Sequence, residues 1–235
     1  MKQIYGISKR TGSMSERYYT ALFATLGLDY GYTTLNCTDL KSDLDYIVGM
    51  GAHGIDVESP YKRKIIDHLD IFTSLVCEYD TCNTVVISGE FLKGHNTDHY
   101  GLQQIPMMID QDQSVAILGS GSTGTTLSRL IPNAIVYSPE SGNWARRDLP
   151  TDVIINCTMY GTTVPDSPIP NIPKGTSLVI DLAVSADALR LQCESTNVKY
   201  IGGREFYNMQ FIKQFEIFTG VTITSDQLKS IEHSM

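Results

Sequence analysis

The segment Ser114-Val115-Ala116-Ile117-Leu118-Gly119-Ser120-Gly121-Ser122-Thr123-Gly124 decides how the chain is read. Its compact apolar run has the form of a strand buried in a parallel sheet. The glycines follow in a GxGxxG spacing and lead into a helical pattern that continues through Leu130. Strand, glycine turn and helix in that order suit a dinucleotide, because glycines let the backbone approach a pyrophosphate at the helix N-terminus. Gly119, Ser120, Gly121, Ser122, Thr123 and Gly124 are therefore the expected cofactor-loop residues.

Downstream, residues 134–137, 152–158, 178–183 and 200–203 read as strands, with a helix over 187–194. Strand and helix units repeated from 114 to 203 predict a small, doubly wound, Rossmann-like nucleotide domain. An acid that holds a ribose hydroxyl is expected about 20 residues past the first glycine. Ser138 stands at that position, followed by Pro139 and Glu140, with Arg146 and Arg147 close behind. This pattern favours NADP, its extra phosphate met by Ser138 and one arginine, and leaves NAD open. Both arginines read equally well as solvated surface charges.

Upstream, strand and helix patterns alternate again, which makes the N-terminal part α/β. Strands are expected over 3–7, 32–36 and 54–57, and helices over 40–50 and 61–69. Ser13 with Glu16 is a capping-box pattern opening a first helix. Ser13 and Ser15 either cap that helix or hold an anionic substrate group beside its free N–H groups. Residues 82–87 and 91–94 form a hairpin signal around Ser88-Gly89-Glu90. A helical spacing over 101–109 precedes the nucleotide strand. Lys62, just after Pro60, and Asp98, inside a cluster of turn-formers, suit proton transfer beside a hydride acceptor. The expected domains are 1–101 for substrate, 102–203 for dinucleotide, and a C-terminal helical segment, 204–235, packing back on the substrate domain. Its apolar residues, Phe206, Met209, Phe211, Ile212, Phe215 and Phe218, form a broad face.

Composition narrows the function classes. The chain has 235 residues, 42% hydrophobic and 19% charged, as in ordinary globular proteins. A formal net charge of −8 argues against nucleic acid, since phosphate neutralisation needs clustered cations. No apolar run has the length of a transmembrane helix, and no signal-peptide core precedes Gly31. Five cysteines without a CxxC pair and five histidines without metal spacing predict reduced thiols, a cytoplasmic location and no metal. A small-molecule partner is expected, for a monomer or a homodimer.

The order of these segments resembles the shikimate dehydrogenase family over most of the chain. Ser13-Met14-Ser15 matches its paired-serine motif, and Val57-Glu58-Ser59-Pro60-Tyr61-Lys62 matches its Pro-aromatic-Lys motif. Asn83-Thr84, Asn96-Thr97-Asp98-x-x-Gly101, residues 156–161, and Gly203 with Gln210 match further family positions. The resemblance implies an NADP-dependent reductase of a cyclic hydroxy-ketone acid, by default 3-dehydroshikimate to shikimate. It implies Lys62 and Asp98 as the catalytic pair and Ser13, Ser15, Glu58, Asn83 and Gln210 at the substrate. Thr158 and Gly203 would lie at the cofactor.

Several positions depart from the family pattern. Glu58 stands in place of threonine, Asp56 in place of asparagine, and Val184 in place of a tyrosine that contacts carboxylate. The Asn-Arg-Thr motif that selects NADP is absent, and the stretch from Gly124 to Asp152 is short. A carboxylate at Glu58 repels a substrate carboxylate unless it is protonated, paired or turned away. These changes keep open a related polyol or amino-polyol substrate, and a non-catalytic ligand-binding homologue.

Overall fold

The computed structural model describes residues 1–9, 14–160, 171–184 and 187–234. The chain divides into two compact units, residues 1–99 with 208–235, and residues 100–207. Among the described residues, no helix is long and apolar enough to cross a membrane.

The first unit begins with β1 (Lys2–Ser8), α1 (Met14–Leu26), β2 (Tyr30–Asn36), α2 (Leu40–Gly49), β3 (Gly54–Val57) and α3 (Tyr61–Lys64). It continues through β4 (Ile71–Phe72), α4 (Ser74–Tyr79), β5 (Thr84–Ser88) and β6 (Phe91–His95) to α5 (Asp98–Leu102). The strands form one mixed sheet in the order β2-β1-β3-β5-β6-β4. β1 runs parallel to β2 and β3, whereas β5 is antiparallel to both β3 and β6. The predicted hairpin is this β5–β6 pair, turning at Gly89 with φ +64°.

Alternation along β3 separates two environments. Ile55 and Val57 join a core with Ile7, Ile47, Ile65 and Val85. Asp56 points to the opposite face and accepts a hydrogen bond from Tyr32 at 2.8 Å. Tyr32 reaches it by lying across β1 at Gly6, where a Cβ would stand 2.2 Å from the tyrosine oxygen.

Two expected helices are shorter than their periodicity. The pattern over 61–69 becomes α3 and a 3-10 turn, Ile65–His68. The chain turns there so that Asp70 can exchange hydrogen bonds with Leu92 and bring β4 alongside β6. The pattern over 101–109 divides into α5 and a 3-10 turn, Ile105–Met108. Pro106 causes the break, since its ring conflicts with the carbonyl four residues back, at Leu102.

The second unit contains β7 (Val115–Leu118), α6 (Ser122–Leu130), β8 (Ile135–Tyr137), β9 (Val153–Asn156), β10 (Leu178–Asp181), α7 (Ala188–Thr196) and β11 (Lys199–Gly202). Its strands are all parallel, in the order β11-β10-β9-β7-β8. The apolar runs are continuous because both faces are covered. Val153, Ile155, Leu178 and Ile180 face one core, and Ile154 and Val179 face the other. Between β8 and β9 the described chain forms a 3-10 turn, Trp144–Arg146, in place of a crossover helix. That substitution accounts for the short stretch noted in the sequence.

The chain then passes through α8 (Arg204–Thr219) and α9 (Ser225–Ser234). The apolar residues of α8 divide between the two cores. Phe206 belongs to the second unit, while Phe211, Phe215 and Phe218 bury beside α1 in the first. Each such ring contributes roughly 1.5–3 kcal/mol by leaving water. Met209, expected on the same face, is exposed.

Candidate active site

Lys62 sits in the first turn of α3, directly after β3, and Asp98 opens α5 after β6. Two strands of one sheet, with only β5 between them, therefore deliver two residues that lie 36 positions apart in sequence. Lys62 Nζ donates to Asp98 Oδ2 at 2.6 Å, and the side chains are only 16% and 13% exposed. Burial pulls the Lys62 ammonium toward deprotonation. The Asp98 carboxylate opposes that most strongly, helped by Asp56 and Glu58, and the net pKa rises above the ordinary lysine value. The ammonium is thus held charged while mostly withdrawn from water.

Asn83 belongs to the same network and is 2% exposed. Its Nδ2 lies 2.7 Å from Thr97 Oγ1, 3.0 Å from Gln210 Oε1 and 3.2 Å from Asp98 Oδ1. Two amide hydrogens are shared among three acceptors. Asn83 Oδ1 accepts from the Thr97 N–H at 2.7 Å and from the Thr84 hydroxyl at 3.0 Å. Lys62, Asp98, Asn83 and Gln210 are thereby gathered at one place in the first unit.

Behind them lies a second polar layer that the motifs did not single out. Gln214, one helical turn beyond Gln210, donates to Asp56 Oδ1 and Thr84 Oγ1, each at 3.0 Å. Tyr19 donates to Gln214 Oε1 at 3.0 Å. Burial raises the Asp56 carboxyl pKa, against the lowering effect of hydrogen bonds from Tyr32, Gln214 and Ser15 and of the Lys62 charge. A glutamine four residues beyond Gln210 in an aromatic helix is the signal from which this layer could have been anticipated.

Ser15 is buried and hydrogen-bonded to Asp56, which joins it to this layer. Glu58 is half-buried and acts on Lys62 through its charge. Ser13, and with it the proposed capping box, lies outside the described residues. Glu16 accepts a 2.6 Å hydrogen bond from Thr34 on β2.

In the second unit, the strand order reverses between β7 and β9. Crevices at such reversals, beyond the carboxyl ends of the strands, are where open α/β sheets bind ligands. Gly119–Gly124 follows β7, and Cys157–Tyr160 follows β9. The pocket there has a volume of about 380 Å³, and Gly119, Ser120, Gly121, Glu140, Trp144 and Thr158 are among its walls. Gly119 has φ +105°, a conformation that side chains disfavour. A Cβ on Gly124 would stand 2.0 Å from the Gly119 carbonyl oxygen. These two glycines let α6 start close behind the turn, leaving N–H groups directed at a phosphate. The cradle therefore fits a dinucleotide. Thr158 is positioned by Asn156, whose Oδ1 accepts from its amide at 3.1 Å and its hydroxyl at 2.6 Å.

Two expected cofactor residues lie elsewhere. Ser138 is fully buried, and its oxygen accepts from the Ser141 N–H at 3.1 Å while its own N–H donates to Asn143. It locks the turn after β8 and does not face the pocket. Glu140 faces the pocket and accepts from Ser120 Oγ at 3.0 Å. Gly203 is a packing residue, since a Cβ there would meet the Leu182 backbone at 2.8 Å. Among the described residues, no His, Cys, Asp and Glu group could hold a metal.

The all-parallel second unit with its glycine cradle and the first unit with its buried lysine–carboxylate pair define a two-unit α/β protein of the dinucleotide-binding class. Residues 8–85 match the family model for the shikimate dehydrogenase substrate binding domain. The NADP(+) shikimate dehydrogenase of Pyrococcus abyssi is 25% identical over 245 residues, covering 93% of each chain. Among solved structures, shikimate dehydrogenase 1 from Peptoclostridium difficile superposes with a TM-score of 0.84 at 24% identity, covering 100% of this chain and 97% of that one. A 5-ketofructose reductase of Gluconobacter shares the fold at a TM-score of 0.74 and 20% identity, covering 100% and 99%. The substrate-binding family model over residues 8–85 and a relative aligned along nearly the whole chain together support a member of the shikimate dehydrogenase family.

Proposed function

We infer that the protein is a shikimate dehydrogenase-like, NAD(P)-dependent oxidoreductase, with the interconversion of 3-dehydroshikimate and shikimate as its default reaction. The observation that carries this reading is the buried 2.6 Å Lys62–Asp98 bond, with Asn83 joined to the same carboxylate. Reduction of a ketone turns its oxygen into an alkoxide, which must gain a proton. Lys62 Nζ, held as an ammonium, stabilises that charge and donates the proton. Asp98 orients Lys62 and accepts from a substrate hydroxyl. Asn83 and Gln210 bind further hydroxyls by exchanging hydrogen bonds that they now make with each other. A nicotinamide dinucleotide at Gly119–Gly124 supplies or accepts the hydride when bound, and the Pyrococcus abyssi relative compared above is named for NADP(+). The net charge of −8 supports a small-molecule partner over a nucleic acid.

A second reading is favoured at the carboxylate end of the substrate. Ser15 is tied to Asp56, Glu58 adds negative charge near Lys62, and Val184 offers no hydroxyl. These features suit a cyclic polyol or amino-polyol lacking the acid. The deciding experiment follows nicotinamide absorbance with both dinucleotides while shikimate, quinate and amino-shikimate are offered in turn. Turnover of shikimate that Lys62→Ala abolishes supports the first reading. Turnover confined to another polyol supports the second. No redox change with any of them counts against both.

A further inference from the structure

The glycine-loop pocket has a charge pattern that does not suit a 2′-phosphate. Of the described residues lining it, only Glu140 is charged. Glu140 lies just past β8, the strand beside β7, and 21 positions after Gly119 (140 − 119). Ser120 of the loop holds its carboxylate at 3.0 Å. Arg147 donates to the Trp144 carbonyl at 2.9 Å with its guanidinium 4.7 Å from the Trp144 ring, and neither it nor Arg146 lines the pocket.

We propose that Glu140 is the residue that sets dinucleotide selectivity, accepting hydrogen bonds from the adenosine ribose hydroxyls and opposing a 2′-phosphate, so that NAD binds at least as tightly as NADP. The proposal rests on reading this pocket as the dinucleotide site. An ionised carboxylate only accepts hydrogen bonds, and a ribose diol offers two donors. A 2′-phosphate replaces one donor with acceptor oxygens and adds about −1.5 to −2 of charge. The Glu140 carboxyl is held below its ordinary pKa by its own backbone N–H, then by the Ser120 and Ser138 hydroxyls, which keeps it ionised near neutrality. Because Glu140 is exposed, water and salt screen the repulsion, so the effect is discrimination and not exclusion.

Trp144, the single tryptophan, lines the same pocket and supplies a fluorescence signal for binding that is independent of turnover. NAD and NADP are titrated into the wild type, Glu140→Gln and Glu140→Ala, with calorimetry as a second readout. The wild type is expected to bind NAD as tightly as NADP or more tightly. Both variants are expected to shift the affinity ratio toward NADP by about tenfold, a shift that shrinks as salt is raised. A wild type that prefers NADP by about tenfold, or an unchanged ratio in both variants, overturns the proposal and leaves the dinucleotide site standing. Failure of the wild type to bind either dinucleotide overturns both.

Discussion

Replacing Lys62 with methionine removes a cation that faces three carboxylates, Asp98, Asp56 and Glu58. Replacing Asp98 with asparagine keeps a side-chain oxygen near Lys62 and leaves the ammonium two carboxylates to balance it. The two changes therefore carry unequal costs, although they break the same 2.6 Å bond. A hydrogen bond to a charged group contributes about 1.5–3 kcal/mol. Stranding one member of a buried pair costs about 3–5 kcal/mol. With Asp98 only 13% exposed, Lys62→Met is expected near 3 kcal/mol of lost stability. Asp98→Asn should cost about 1–2 kcal/mol. In the double variant the stranded carboxylate is gone, so its cost should fall below the sum of the singles. Urea unfolding near neutral pH measures all three. Steady-state turnover on the best substrate should fall by about 10²–10⁴-fold in Lys62→Met, the usual worth of a general acid. A Lys62→Met protein as stable as Asp98→Asn would refute the charge argument, and retention of turnover within about tenfold would refute the role of Lys62.

Asp56 should leave a signature in the pH dependence of stability. Its folded pKa is raised from 3.8, so between 3.8 and the raised value the native state holds more proton than the unfolded chain. Stability from this group is complete below 3.8 and declines as pH rises through the folded value. Asp56→Asn should remove that decline, and unfolding curves at stepped pH that keep the wild-type slope would contradict it. Tyr32→Phe should cost about 1–3 kcal/mol, because it withdraws one donor from the buried carboxylate, and thermal or urea unfolding of the pair of proteins measures it. In Gly124→Ala the new Cβ meets the Gly119 carbonyl oxygen at 2.0 Å, so the loop must move. A loss of about 1–3 kcal/mol is expected together with weaker dinucleotide binding, and an alanine variant with unchanged Trp144 quenching would argue against the cradle.

Much of the fold is legible in the sequence where the deciding contacts are local. The run from Val115 to Gly124 has one satisfactory local arrangement, strand then turn then helix, because burial and the φ of Gly119 act within a few residues. The same holds for β3 and for the hairpin at Gly89. Helix lengths over 61–69 and 101–109 are less legible. In the first case, pairing of β4 with β6 overrides the periodicity, and in the second Pro106 does.

What the sequence alone determined here is therefore the class of each unit and the identity of the lysine, aspartate and asparagine that the resemblance brings together. Only the tertiary structure decided what surrounds them. Asp56 meets Tyr32 across 24 residues and Gln214 across 158, and no local pattern specifies such a meeting. In the turn after β8, two polar residues stand two positions apart, and only the backbone path decides which is buried. Ser138 turns inward to hold the turn, and Glu140 turns outward to the pocket. Spacing along a chain locates a turn, but the direction in which each side chain leaves it is set by what the folded chain packs against.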